Sequence, residues 1–201
     1  MGTTKLICLG HTDKLLKAYN SWFTMHRRIE TVPIDIRGQA DWKTSDLKTT
    51  ENVYLEFANH IEEPYCVFVY GLGSMIVGEL MQQLVKNNIA LPIYIFISED
   101  IPPSDNTIEV KATNNKERNI LSQEKQSMQM LDINMSVFYS KQSNRVDLGW
   151  RKCANKKYTE YAFEKIESNS YMQEELESVI SSIISRELVT RRLQQSFKII
   201  L

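Results

Sequence analysis

The side chains in this sequence with the chemistry to attack or hold a substrate are few: three histidines, three cysteines and a serine beside a glycine pair. The histidines are His11, His26 and His60, and the cysteines are Cys8, Cys66 and Cys153. A histidine within reach of a serine or cysteine can take its proton and turn it into a nucleophile. Ser74 follows Gly71-Leu72-Gly73 and is a candidate displaced nucleophile. A serine at the head of a helix more commonly caps it. His11 sits just after the first apolar run, at the edge where open α/β sheets bind ligands. It is the polar group best placed to line a pocket. The plainer reading is a loop histidine satisfied by backbone or solvent. His26, with Arg27 and Arg28, falls where the first helix is expected to end, and the helix dipole accounts for cations there. The cysteines are odd in number and lack a Cys-x-x-Cys pair. They read as buried thiols in a reducing cytoplasm, with no structural zinc expected. Gly71-x-Gly73 also resembles part of a dinucleotide turn. It lacks a third glycine at Ile76 and does not follow the first strand, so no cofactor is expected.

These residues need elements to position them. Lys5 to Gly10 is a short apolar run closed by glycine, a buried-strand pattern. Residues 14–27 place apolar groups at near-helical spacing, and Glu30 to Ile36 reads as a second strand. Thr50 to Ile61 is a helix. Tyr65 to Tyr70 is continuously apolar, as expected of a central strand buried on both faces. A helix from Met75 to Lys86 and a strand from Pro92 to Ser98 follow. This β-α alternation predicts an α/β fold with a doubly wound, mainly parallel sheet. Residues 101–130 are polar and break the pattern, which suggests an insertion over the sheet or a long connection, with one possible helix from Glu117 to Met130. The sheet resumes with Ile133 to Tyr139. A short helix from Arg145 to Ala154, a strand from Tyr158 to Ile166 and a long helix from Tyr171 to about Phe197 complete the chain. The whole, 1–201, reads as one domain.

Composition narrows the function. The 25 acidic and 24 basic residues nearly cancel, so no global charge draws the chain to nucleic acid or an anionic membrane. No apolar run approaches the ~20 residues of a bilayer span, and the N-terminus lacks a signal-peptide layout. A cytoplasmic protein is expected. Two local features suggest association. Residues 141–165 hold seven Lys/Arg against three Asp/Glu, which is either a solvated face or a surface for an acidic carrier protein. The chain ends in Phe197-Lys-Ile-Ile-Leu201, an apolar tail that suits a partner or dimer mate, unless the last helix simply folds back on its own sheet.

The order of these segments resembles the type II thioesterases of nonribosomal-peptide and polyketide assembly lines. Those are α/β hydrolases with a Pro-His/Tyr-Ala-Gly-Gly turn, a Pro-Gly-Arg turn and a Gly-His-Ser-Met-Gly nucleophile elbow. The matching segments here are Leu9-Gly-His-Thr-Asp13, Ile36-Arg-Gly-Gln39 and Val69-Tyr-Gly-Leu-Gly73. Downstream, Val137 to Gln142 resembles the strand end that bears the family's aspartate. Trp150-Arg-Lys resembles its Trp-Arg helix, and Ile166 to Met172 its Gly-Gly-His-Phe segment. The resemblance is one of layout, since no motif is intact. Residues 101–130 would form a reduced lid.

The departures shape the expected function. The resemblance puts the nucleophile at Gly71, the carboxylate at Gln142 or Ser143, and the histidine at Ser170. None can play its part. No histidine lies after residue 60. Asp13 and Lys14 replace the glycines of the oxyanion turn, where a fixed anion would oppose the developing charge. A pocket at this place would be lined by His11, Thr12, Asp13, Tyr70, Leu72 and Ser74. Three readings follow. One is a catalytically silent, thioesterase-like accessory subunit, bound to a synthase or carrier protein or to its own copy. Another is a hydrolase with relocated catalytic residues, such as His11. The third is a small-molecule binder that kept the cleft.

Overall fold

The computed structural model describes residues 3–24, 26–37, 50–62, 64–71, 73–98, 131–141, 150–163 and 170–200. Six parallel strands form one sheet in the order β2-β1-β3-β4-β5-β6. They are β1 (Thr4–Gly10), β2 (Ile29–Asp35), β3 (Tyr65–Tyr70), β4 (Tyr94–Ser98), β5 (Asn134–Ser140) and β6 (Tyr158–Phe163). The helices are α1 (Asp13–Ser21), α2 (Thr50–Ala58), α3 (Gly73–Lys86) and α4 (Ser170–Ile200), with a 3-10 turn at Trp150–Cys153. The expected reduced lid, residues 101–130, lies outside the described residues.

The continuous apolar runs follow from burial on both faces. Along β3, Tyr65, Val67 and Val69 pack with α2, α3 and Trp150. The alternate residues Cys66 and Phe68 face α1 and α4. Strand β1 divides the same way, with Ile7 and Leu9 on the first face and Leu6 and Cys8 on the second. Each side chain points away from its neighbour in a strand, so a strand between two helical layers has no face left for polar groups. A buried polar link across the sheet is satisfied, with the Tyr94 hydroxyl 2.8 Å from Ser136 Oγ. The outer strand β2 carries Pro33, in register with Cys8.

Two elements differ from the sequence expectation. Helix α1 begins at a Thr12 cap, whose Oγ1 accepts from the Leu15 N–H at 3.2 Å. It stops at Ser21 rather than near residue 27. Trp22 is extended, and Phe23 is left-handed at φ 57°. The Phe23 N–H donates to Glu177 on α4 at 3.2 Å, and Trp22 lies edge-on to Phe68 with ring centroids 4.8 Å apart. Packing of these two aromatic rings ends the helix. His26 therefore stands beyond it, stacked at a tilt on Phe23, and the dipole explanation for His26, Arg27 and Arg28 fails. The expected helix from Arg145 to Ala154 is, in its described part, only the 3-10 turn.

Helix α4 packs on the sheet through Leu176, Ile180, Ile183 and Ile184. Beyond them, Val189 and Leu193 are each 55% exposed. The helix spans 31 residues and continues past the core it covers.

Candidate functional site

The connections fix where a site can form. Strand β1 leads through α1 to β2 on one side, and β3 leads through α3 to β4 on the other. The two helices lie on opposite faces of the sheet. Their divergence places the topological switch point beyond the carboxyl ends of β1 and β3, the position at which open α/β sheets bind ligands. His11 leaves β1 there and Gly71 leaves β3 there.

Gly71 turns the chain from strand to helix at φ 55°, a left-handed conformation that glycine adopts freely and other residues resist. Three contacts hold the turn. The Gly71 N–H donates to the Ser98 carbonyl at 3.2 Å, and the Ser74 N–H donates to the Gly71 carbonyl at 3.1 Å. The Ser74 hydroxyl donates to that same carbonyl at 2.8 Å. Ser74 is thus buried, and its hydroxyl donates inward to the turn.

A Cβ at position 71 would lie 3.2 Å from His11 Cε1. The imidazole therefore stands at the point where the side chain of an elbow residue would emerge. His11 Nδ1 is buried without a hydrogen-bond partner among the described residues. Burial lowers the pKa of this histidine below its ordinary value, which favours the neutral ring. The structure thus brings together His11 and Gly71, two of the positions singled out from sequence. Gly71→Ala should cost about 1–2 kcal/mol from the left-handed backbone alone, read as a lower urea midpoint with an unchanged slope. Gly71→Asn should cost less, because asparagine tolerates this region. Equal stability of wild type and the alanine variant would show that the turn relaxes.

The other positions have mostly structural roles. Thr12 caps α1. Asp13 is no bare anion. Its Oδ1 meets Arg37 Nη1 at 2.9 Å, and Arg37 also forks onto Asp35 through Nε and Nη2. Hydrogen bonds to both carboxylates raise the guanidinium pKa further above its ordinary value. The expected repulsion from Asp13 is therefore offset by a cation beyond the end of β2. Tyr70 is half-buried at the end of β3, against the α1 and α4 layer. Leu72, Gln142 and Ser143 lie outside the described residues, and Ser170 is the first residue of α4. All three cysteines are free and buried, and burial pushes their thiols up, away from the reactive thiolate. Among the described residues no group of three or more His, Cys, Asp or Glu could hold a metal ion.

Two residues near the switch point were missed in the sequence. Arg37 stands two residues after Asp35 at a strand end, a spacing that is a readable ion-pair signal. Ser98 closes β4, is fully buried, and leaves its Oγ unpartnered among the described residues. A lone serine ending an apolar strand carries no signal of that kind.

No family model matches the sequence, and no curated protein matches it. Solved structures do match. ClbQ from the colibactin NRPS/PKS pathway superposes with a TM-score of 0.71 at 18% identity, covering 94% of this chain and 100% of that one. Human thioesterase 2 gives 0.69 at 15% identity, over 94% and 97% of the two chains. The type II thioesterase BorB from the borrelidin biosynthetic cluster gives 0.66 at 13% identity, over 92% and 93%. With its topological switch point between β1 and β3 and its strand-to-helix elbow at Gly71, this chain has the α/β-hydrolase fold of the thioesterases.

Proposed function

We propose that this protein is a catalytically inactive, thioesterase-like accessory or structural subunit that acts by binding, beside a biosynthetic enzyme of the peptide- or polyketide-synthase type. The observation that carries the reading is the elbow itself. Gly71 supplies the left-handed turn with no nucleophile, and the His11 ring stands against the space a nucleophile's side chain would enter. No histidine follows residue 60 to act as the terminal base. The similarity to ClbQ and BorB supports the biosynthetic setting.

A second reading rests on His11. A neutral imidazole with one nitrogen unpartnered, beside a glycine turn at the switch point, has the makings of a relocated base. Acyl-thioester turnover that disappears in His11→Ala would favour it. If the switch point instead keeps a small ligand without reaction, the protein is a binder, and co-purification of a small molecule rather than a protein distinguishes that case.

Binding requires a surface, and α4 offers one. Val189 and Leu193 are one helical turn apart and exposed on a helix that outruns its core. A helix end with no tertiary support is marginal in water, so covering it favours association. Full-length chain is expected to sediment as a dimer or to capture partner proteins, and a chain ending at Arg192 to lose that behaviour. If both run as the same lone monomer and capture the same proteins, α4 is not the contact. Among the described residues no helix is long and apolar enough to cross a membrane.

A further inference from the structure

At the opposite end of the sheet from Gly71, a cleft of about 360 Å³ opens at the amino ends of β3, β4 and β5. Tyr65 begins β3, Ile93 precedes β4, Asn134 begins β5, and all three line it with Asp132, Lys156 and Arg191. Its volume falls in the ordinary range of small-molecule sites. The polar groups around it are largely spoken for. Lys156 Nζ meets Asp132 Oδ2 at 2.9 Å. Asn134 donates from Nδ2 to Glu187 Oε2 at 3.2 Å, and its Oδ1 accepts from the Lys157 N–H at 3.3 Å. The Tyr65 hydroxyl donates to the Ala90 carbonyl at 2.6 Å.

Arg191 is the exception. It has no carboxylate partner among the described residues. It is brought over the strand ends by the part of α4 that runs beyond the buried stripe. Burial pushes the Cys66 thiol up; the Arg191 charge opposes that push, and Glu187, one turn earlier on the helix, adds to it. With Asp132 matched by Lys156 and Glu187 held by Asn134, Arg191 is the lining cation without a carboxylate within ion-pair distance among the described residues. A guanidinium presents a planar fork that fits carboxylate and phosphate oxygens.

We propose that this cleft binds a small organic anion, a carboxylate or a phosphate, whose charged end meets Arg191 and Lys156 and whose carbon skeleton lies along Ile93. The site is separate from the switch point at Gly71 and stands whether or not the accessory-subunit reading does.

Amide NMR titration of the full chain with inorganic phosphate, with propionate, and with neutral propionamide tests it. Phosphate or propionate should shift the signals of Ile93, Asn134 and Lys156 saturably, and propionamide should not. Which anion saturates at lower concentration identifies the head group. Arg191→Gln should weaken binding roughly tenfold or more, as expected for loss of a charge-assisted fork. Arg191→Lys keeps the charge without the fork and should fall between. Arg191 is exposed, so both variants should keep wild-type far-ultraviolet circular dichroism, and Lys156→Gln gives an independent loss if either does not. Equal response to propionamide, undiminished affinity in the Arg191→Gln and Lys156→Gln variants, or no saturable response to either anion overturns the proposal.

Discussion

Acyl-pantetheine thioesters incubated with this protein should be hydrolysed at the buffer rate, and Gly71→Ser should not raise it. Three absences act together. Gly71 has no nucleophilic atom, no histidine follows residue 60, and the carboxylate position inferred from the family layout is Gln142 or Ser143. A nucleophile, its base and the group that orients the base work as a unit. Losing the nucleophile or the base alone costs nearly as much as losing all three, on the order of 10⁶-fold in rate. Restoring one therefore returns almost nothing. The serine of the Gly71→Ser variant would also enter a left-handed turn with its Cβ 3.2 Å from His11 Cε1. Among the described residues, His11 is the side chain within 4 Å of that Cβ and could accept its proton, so the double comparison matters. Turnover that survives repurification in the wild type defeats the claim, and its loss in His11→Ala would move the function to the second reading. Turnover only in Gly71→Ser would show that His11 serves as a base when offered a hydroxyl.

Phe68→Ala should lower unfolding free energy by about 3–5 kcal/mol, the range for deleting a large buried aromatic. Phe68 is 1% exposed in the central strand. It meets Trp22 and Tyr19 edge-on, with ring centroids 4.8 and 5.9 Å away. Those two residues form the end of α1, so the cavity would open where α1 is fastened to the sheet. The Tyr19 hydroxyl also reaches the Leu9 carbonyl at 3.4 Å, one residue before the strand end that carries His11 out. Loosening α1 should therefore blunt the His11 environment as well as stability. Equilibrium urea unfolding measures the first effect, and the His11 ring signal in NMR the second. A loss below about 1 kcal/mol would mean that the aromatic layer collapses to fill the gap.

The sheet was legible in the sequence because burial on both faces leaves a direct trace. Tyr65 to Tyr70 has no polar residue to confuse the period, and its bounds coincide with those of β3. The elbow was legible because glycine at the end of such a strand signals an unusual backbone, and Gly71 has it. What escaped depended on partners far along the chain. The end of α1 depends on Phe68, which packs on Trp22, and on Glu177, 154 residues from Phe23, while the local spacing of Trp22 and Phe23 favours continuing the helix. The neutralisation of Asp13 depends on Arg37, which only the pairing of β1 with β2 brings near. The bond from the Ser74 hydroxyl back to the Gly71 carbonyl likewise needs the geometry of the turn to be seen.

Pro33 in β2 bears on how this protein can grow. A parallel sheet ends in two strands whose outer backbone groups invite another strand, and β2 is one of them. Proline has no N–H to donate, and in sheets it sits where that missing donor faces outward. A seventh strand laid along β2 would find a gap in its ladder at Pro33. Edge-to-edge fusion of two sheets into a continuous ribbon, a route to aggregation open to any exposed edge strand, is thereby discouraged on that side. Concentrated solutions should accordingly remain free of thioflavin-positive ribbons seeded through β2, and Pro33→Val, which restores the donor, is the substitution that would expose the liability.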